Sequence, residues 1–155
     1  MAVEGSWGDR VLVVEVQACI CAFPLSRVIE TFRPVPVEPV PGLISYVRGI
    51  SIIRGTPVPV VDLGDLLNRP GGVAGRFVTL RVADRQIALA VGRVLGVAEP
   101  DALTLVKLPS LLDDMAKDVI EAIGTLDSQL LVVLRNGWRL PEEVWHKLET
   151  REKAE

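Results

Sequence analysis

Two cysteines, a single histidine and no excess of basic residues narrow what this 155-residue chain can do. Cys19 and Cys21 lie two apart in a strand-like run, and neighbours on one face of one strand rarely meet disulfide geometry. Both are therefore expected to be reduced, small core hydrophobes. There is no HExxH, no CxxC pair, no phosphate-cradling glycine loop and no GxSxG, so no metal, nucleotide or acyl-transfer site is signalled. The sequence thus offers no catalytic residue, no metal ligand and no cofactor. His146, among charges near the C-terminus, reads as a solvated helix residue. The net charge of −3 argues against a nucleic-acid partner, which would need a clustered basic surface. The longest stretch without a charge, Val16–Ser26, is too short to cross a bilayer, so no membrane insertion is expected. No basic segment followed by an apolar core opens the chain, and the expectation is a cytoplasmic protein without an export signal.

What the chain does have is apolar material: 49% of residues are hydrophobic, enough for a packed core in one domain or in two small lobes that share one. The most organised stretch is Val40–Leu67. It predicts a helical turn at Leu43–Val47, then apolar runs Gly49–Ile53 and Val58–Val61 separated by Arg54-Gly55-Thr56-Pro57. Short β-branched runs broken by Gly and Pro signal a tight hairpin. Pro57 and Pro59 remove two donors from one edge of their strand, which predicts a boundary strand of the sheet. Asp62 reads as the cap of a helical turn over Asp62–Leu67 rather than as an acid catalyst.

Met1–Asp9 is expected to be a flexible leader, with Trp7 able to fold back. Arg10–Val16 and Cys19–Pro24 predict a strand pair, and Val28–Phe32 a third strand. Pro34–Pro41, with proline at every second or third position, can be neither helix nor central strand. It reads as an extended connector whose valines are pinned to the surface beneath. Asn68–Gly75 is a break, with Gly71-Gly72 as a hinge. In Phe77–Val82, Val78, Leu80 and Val82 share a face opposite Thr79 and Arg81. In the next strand Ile87, Leu89 and Val91 lie opposite small Ala88 and Ala90, which would let another layer approach closely. Asp101–Asp118 reads as a packed leucine-rich loop with a helical turn, and Asp113-Asp114 as loop acids. Pro141–Glu155 reads as a helix with early glutamates and a Val144, Trp145, Leu148 stripe, its charged end from Glu149 frayed.

The chain also resembles itself. Val11–Pro34 overlays Phe77–Pro100 without a gap at an offset of 66, with Val16 on Val82, Ala22 on Ala88 and Arg27 on Arg93. Val47–Val61 overlays Ile120–Leu134 at an offset of 73, which puts Arg54 on Asp127. The ordered match points to a pseudo-duplication. The expected organisation is a leader over 1–9, lobes of about 10–67 and 76–140 that share apolar surface, and a C-terminal helix over 141–155.

The segment YVRGISIIRGTPVPVVDLGDLL resembles the signature of the CheW-like domain, the adaptor module of bacterial chemosensory arrays. Tyr46, Val47, Arg48, Gly49, Arg54, Gly55, Val58, Pro59, Val60, Asp62 and Leu63 match its pattern, and upstream Glu30 falls at the family's acidic position. The likeness runs from about Arg10 to Leu140. Two departures stand out: Ile52 replaces the usual Asn, leaving a turn polar group to be satisfied otherwise, and Leu134–Arg139 lacks the usual ending.

This resemblance implies an all-β fold of two five-stranded SH3-like barrels. It also implies a non-catalytic scaffold that couples the cytoplasmic tip of chemoreceptors to the regulatory domain of a CheA-type histidine kinase. It places Val28, Glu30, Arg48, Arg54 and Gly55 at or behind the receptor-side groove, with Glu30 and Arg54 close together. A desolvated pair would be structural, whereas an exposed one would have its role in binding. The kinase-facing residues are not assigned. Alternatives are a chemosensory-like pathway controlling surface motility, development or gene expression, and, from another class, a small ligand-binding barrel.

Overall fold

The computed structural model describes residues 10–107, 118–135 and 138–154. The leader with Trp7, and the segment holding Leu108, Leu111, Leu112 and Asp113-Asp114, lie outside the described residues. Among the described residues eleven strands run in chain order. The first hairpin is β1 (Val11–Val16) and β2 (Cys19–Pro24), and β3 (Val28–Phe32) follows. The second hairpin is β4 (Val47–Ile53) and β5 (Thr56–Asp62), continued by α1 (Leu63–Leu66). Then come β6 (Arg76–Val82), β7 (Arg85–Val91), β8 (Arg93–Ala98) and β9 (Thr104–Lys107). β10 (Ile120–Leu126), β11 (Gln129–Leu134) and α2 (Glu142–Ala154) complete the chain.

The strands form a six-stranded sheet, β8-β1-β2-β11-β10-β9, and a five-stranded sheet, β3-β6-β7-β5-β4. The fold is the expected two-lobed β architecture, but the lobes are not the two halves of the chain. One lobe is continuous, from β3 through β7. The other is assembled from β1–β2 and β8–β11, on either side of it. Each third strand leaves its own hairpin and pairs in the other lobe: β3 with β6, β8 with β1. Two short crossings do this, the 3-10 turn Leu25–Arg27 and Gly92. Both are tied to β1, through Leu25 N–H to the Arg10 carbonyl and Gly92 N–H to the Glu15 carbonyl, each 2.9 Å. Local periodicity does not encode which sheet a third strand joins, so it predicts contiguous lobes at 10–67 and 76–140 and does not reveal the exchange.

The duplication is nonetheless real in the packing. Inside the continuous lobe Ile53, Val58, Val60, Phe77 and Ala88 are buried together, with Phe32 and Val37 against them. Inside the other, Leu131, Val133, Val11 and Ala22 are buried together, with Leu126, Ala98 and Leu103 against them. These seven positions of one lobe match these seven of the other at the offsets of 66 and 73, while Ala90 in the first cluster and Ile20 and Ala122 in the second have no counterpart. The opposite faces of both sheets meet in one shared cluster containing Leu12, Val14, Phe23, Leu80, Ile87 and Leu89. Ala88 and Ala90 therefore face the lobe interior while Ile87 and Leu89 face the partner lobe, as the small-residue pattern required.

The hairpin around Arg54 forms, with Arg54-Gly55 alone as its turn. Its strand β5 is not a boundary: it pairs with β4 on one side and, in parallel, with β7 on the other. Because partners alternate along an antiparallel pair, Pro57 and Pro59 both face away from β4. The β7 ladder accordingly begins at Val60, directly after the last proline. The helical turn expected over Leu43–Val47 is present as a single turn closed by Val47 N–H to the Ile44 carbonyl at 2.9 Å, with Val47 already the first residue of β4. Part of the expected Asp101–Asp118 loop is strand β9, which pairs with β10. The prolyl connector is extended, with Val35 and Val37 against the lobe interior and Glu38 bridging Ile50. In α2, Val144 and Leu148 enter the shared core and Trp145 packs beside them, its ring under the Arg85 guanidinium at 4.8 Å. The helix runs on to Ala154, beyond the point where fraying was expected.

Candidate protein-docking surfaces

A two-residue hairpin with left-handed backbone at both central positions matches the twist of its strands. Arg54 and Gly55 have φ of 50° and 79°, so the turn is of this kind and holds Arg54 at the apex of the hairpin. Open space surrounds Gly55, where a Cβ would meet nothing within 4 Å. Glu30, in β3, comes from the far side of the same sheet. Arg54 donates from Nε to Oε1 at 2.8 Å and from Nη2 to Oε2 at 2.7 Å, a bidentate fork. The hydrogen bonds and charge of Arg54 hold the Glu30 carboxyl below the usual carboxylate range, and Glu30 raises Arg54 in return. The guanidinium side chain is 78% exposed and that of Glu30 23%, so the pair shows a mainly cationic face to solvent.

Exposed apolar side chains lie beside both members of the pair in the chain: Ile29, next to Glu30 on β3, is 43% exposed and Ile52, two before Arg54 on β4, is 64% exposed. Ile52 is an outward-facing strand residue opposite Pro57, not a turn residue. No unsatisfied turn side chain results among the described residues. Val28 points inward and packs against the shared core, behind Glu30. Arg48 sits apart from these four. It lies six residues from Arg54 along β4, about 20 Å in a strand, and pairs with the buried Asp62. Asp62 also caps α1 by accepting from Asp65 N–H at 3.0 Å, as expected. Glu121 and Arg135 occupy the repeat positions of Arg48 and Asp62, with the signs exchanged.

The sequence reading missed Ile29, Leu95 and Val97, three exposed apolar residues on the third strands of the two lobes. Their trace was visible: Ile29 and Leu95 are 66 apart, and both strands place apolar residues on the face that a one-sided strand leaves polar. Cys19 and Cys21 are buried and unbridged. His146 is exposed on α2. Among the described residues no group of three or more His, Cys, Asp or Glu side chains is placed to hold a metal. No helix among them is long and apolar enough to cross a membrane.

Comparison with known proteins agrees with this geometry. The CheW-like domain family matches residues 10–136. A solved structure described as the scaffolding protein TtCheW from Thermoanaerobacter tengcongensis superposes with a TM-score of 0.69 at 17% identity, covering 85% of this chain and 97% of that one. No curated protein matches by sequence. With the family match spanning the two lobes and their third-strand exchange, the chain belongs to the CheW-like domain family.

Proposed function

We propose that this chain is a non-catalytic cytoplasmic adaptor of a chemosensory array. It couples the cytoplasmic tip of chemoreceptors to the regulatory domain of a CheA-type histidine kinase, in arrays at the inner membrane. The observation that carries this reading is the Glu30–Arg54 fork at the exposed tip of the continuous lobe, rimmed by Ile29 and Ile52. A pair this exposed contributes little to folding, because solvent screens it. An oriented cation beside exposed apolar side chains is instead suited to recognising a protein surface, where apolar area buried on contact supplies affinity and the charge sets register and partner. Glu30 fixes the guanidinium so that its remaining donors point outward, Gly55 keeps the approach clear, and Val28 anchors the strand behind.

The test is co-elution of the full chain with the regulatory domain of CheA-type kinases from its organism, then with receptor tip added, comparing wild type and Arg54→Glu. The expected result is a complex with wild type, and loss of the receptor-dependent component by about tenfold or more in the variant, roughly 1.4 kcal/mol. A folded wild-type protein that binds none of these kinases would remove the coupling role and leave only the fold.

A further inference from the structure

The third strand of each lobe carries a bulge, and the two bulges fall at equivalent places. In the β3–β6 ladder Val28 faces Leu80 and Glu30 faces Thr79, so Ile29 is the extra residue. In the β8–β1 ladder Val94 faces Val14 and Gly96 faces Val13, so Leu95 is the extra residue. Ile29 and Leu95, Glu30 and Gly96, and Val13 and Thr79 are each 66 positions apart. The bulges are closed differently. Thr79 is 0% exposed, and its hydroxyl accepts from Glu30 N–H at 3.2 Å and donates to the Glu30 carbonyl at 3.3 Å. Val13 has no hydroxyl to offer, and Gly96 opposite it takes φ of 137°, a backbone conformation that side chains rarely allow. A Cβ at Gly96 would meet nothing within 4 Å, so backbone conformation and not space calls for glycine there. Glu30, held by Thr79, is not among the residues of positive φ.

We infer that Thr79 is a positioning residue for partner docking: its hydroxyl holds the bulge in a form open to a residue with a side chain, and so aims Glu30 at Arg54. A bulge bends its strand and re-aims the side chains beside it. β3 is a margin of its sheet with β6 as its one ladder partner, so the direction of Glu30 depends on that ladder and on the hydroxyl that stands in at the bulge. A buried hydroxyl is costly unless bonded, which fixes Thr79 on the Glu30 backbone. The other lobe forms the same bulge opposite a valine, so the fold does not require the hydroxyl. The lobe that has it is the lobe that carries the carboxylate. What the aimed pair recognises rests on the adaptor reading, whereas the clamp on Glu30 does not.

Side-chain NMR of the full chain tests it, through exchange of the Arg54 Nε–H proton with water, the signal being assigned by its absence in Arg54→Lys. In wild type this proton is held by Glu30 Oε1 at 2.8 Å. Thr79→Val, which copies Val13 and keeps the shape, should fold and speed the exchange about threefold to tenfold, the range for losing one net hydrogen bond. Thr79→Ser, which restores the hydroxyl, should keep the wild-type rate. The Arg93 Nε–H, bonded to Glu15 at 3.0 Å, should not change in either variant. In co-elution with kinase regulatory domain and receptor tip, Thr79→Val should weaken the receptor-dependent component by a similar factor. Unchanged Arg54 exchange in Thr79→Val, an equal rise at Arg93, failure of Thr79→Val to fold, or receptor-dependent binding that survives a loosened pair would each overturn the inference. A wild-type chain that binds neither kinase nor receptor would remove the adaptor reading, and the exchange rates alone then decide the clamp.

Discussion

Glu30 and Arg54 are joined by two hydrogen bonds of 2.8 and 2.7 Å although their strands, β3 and β4, are the opposite margins of the five-stranded sheet. The pair therefore spans the seam where the sheet curls shut. The prolyl connector reinforces the same seam, through the Glu38–Ile50 bridge and the bond from Ser51 Oγ to the Pro36 carbonyl.

Because the carboxyl of Glu30 is depressed by Arg54, its contribution has a defined pH window. A lowered native value means the stabilisation is fully present above the ordinary Glu pKa of about 4.3 and is lost as pH falls through the native value. Glu30→Gln should melt close to wild type at neutral pH, given the exposure of the pair, and any difference should vanish in acid. Thermal melts across this range check the sign: a gap that widens in acid would contradict it.

Asp62 does two jobs, pairing with Arg48 and capping α1, and is itself buried. Asp62→Ala should lose the cap and leave Arg48 without its partner, lowering stability by about 1–3 kcal/mol. Asp62→Asn can still cap the helix and should cost clearly less. Equal losses of stability for the two variants in urea denaturation would show that the cap contributes little.

Two glycines in the same hairpin should respond in opposite ways. Gly49 has φ of 147°, and a Cβ there would overlap the Glu38 carbonyl, so Gly49→Ala must push the connector off β4. A loss above about 3 kcal/mol or failure to fold is expected. Gly55, at φ of 79° with open space around it, should cost about 1 kcal/mol as alanine, from backbone preference alone. Similar losses for both would show that the connector contact contributes little.

Burial pushes the thiols of Cys19 and Cys21 up, which suppresses the nucleophilic thiolate. Neither should react with an alkylating reagent at about pH 8 in the folded protein, and both should react in denaturant. Rapid labelling of either in the native state would place it at the surface.

Local pattern was enough to read the hairpins, the extended connector, the Asp62 cap and the C-terminal stripe, because each depends on neighbours within a few residues. It also revealed the duplication, since a repeated core leaves a repeated spacing. The tips were partly legible: Arg54 stands out at a hairpin apex, and the family resemblance brought Glu30 to it. Leu95 and Val97 are not legible as surface residues in the sequence, because apolar residues on a strand are expected to be buried.

The exchange of third strands was decided only in three dimensions. A strand of five or six residues specifies which of its faces is apolar but not which sheet edge it joins, and β3 and β8 could have closed either lobe. The short crossings at Leu25–Arg27 and Gly92, tied to the ends of β1, leave no slack for returning to the original hairpin. Burying the opposite faces of both sheets in one shared cluster then makes the exchanged arrangement a single cooperative unit. The sequence by itself determined two kindred lobes and a charged hairpin tip. Tertiary packing determined which strands complete each lobe and that Glu30 meets Arg54 across the seam, because those relations depend on sheet curvature and long-range pairing that no local periodicity encodes.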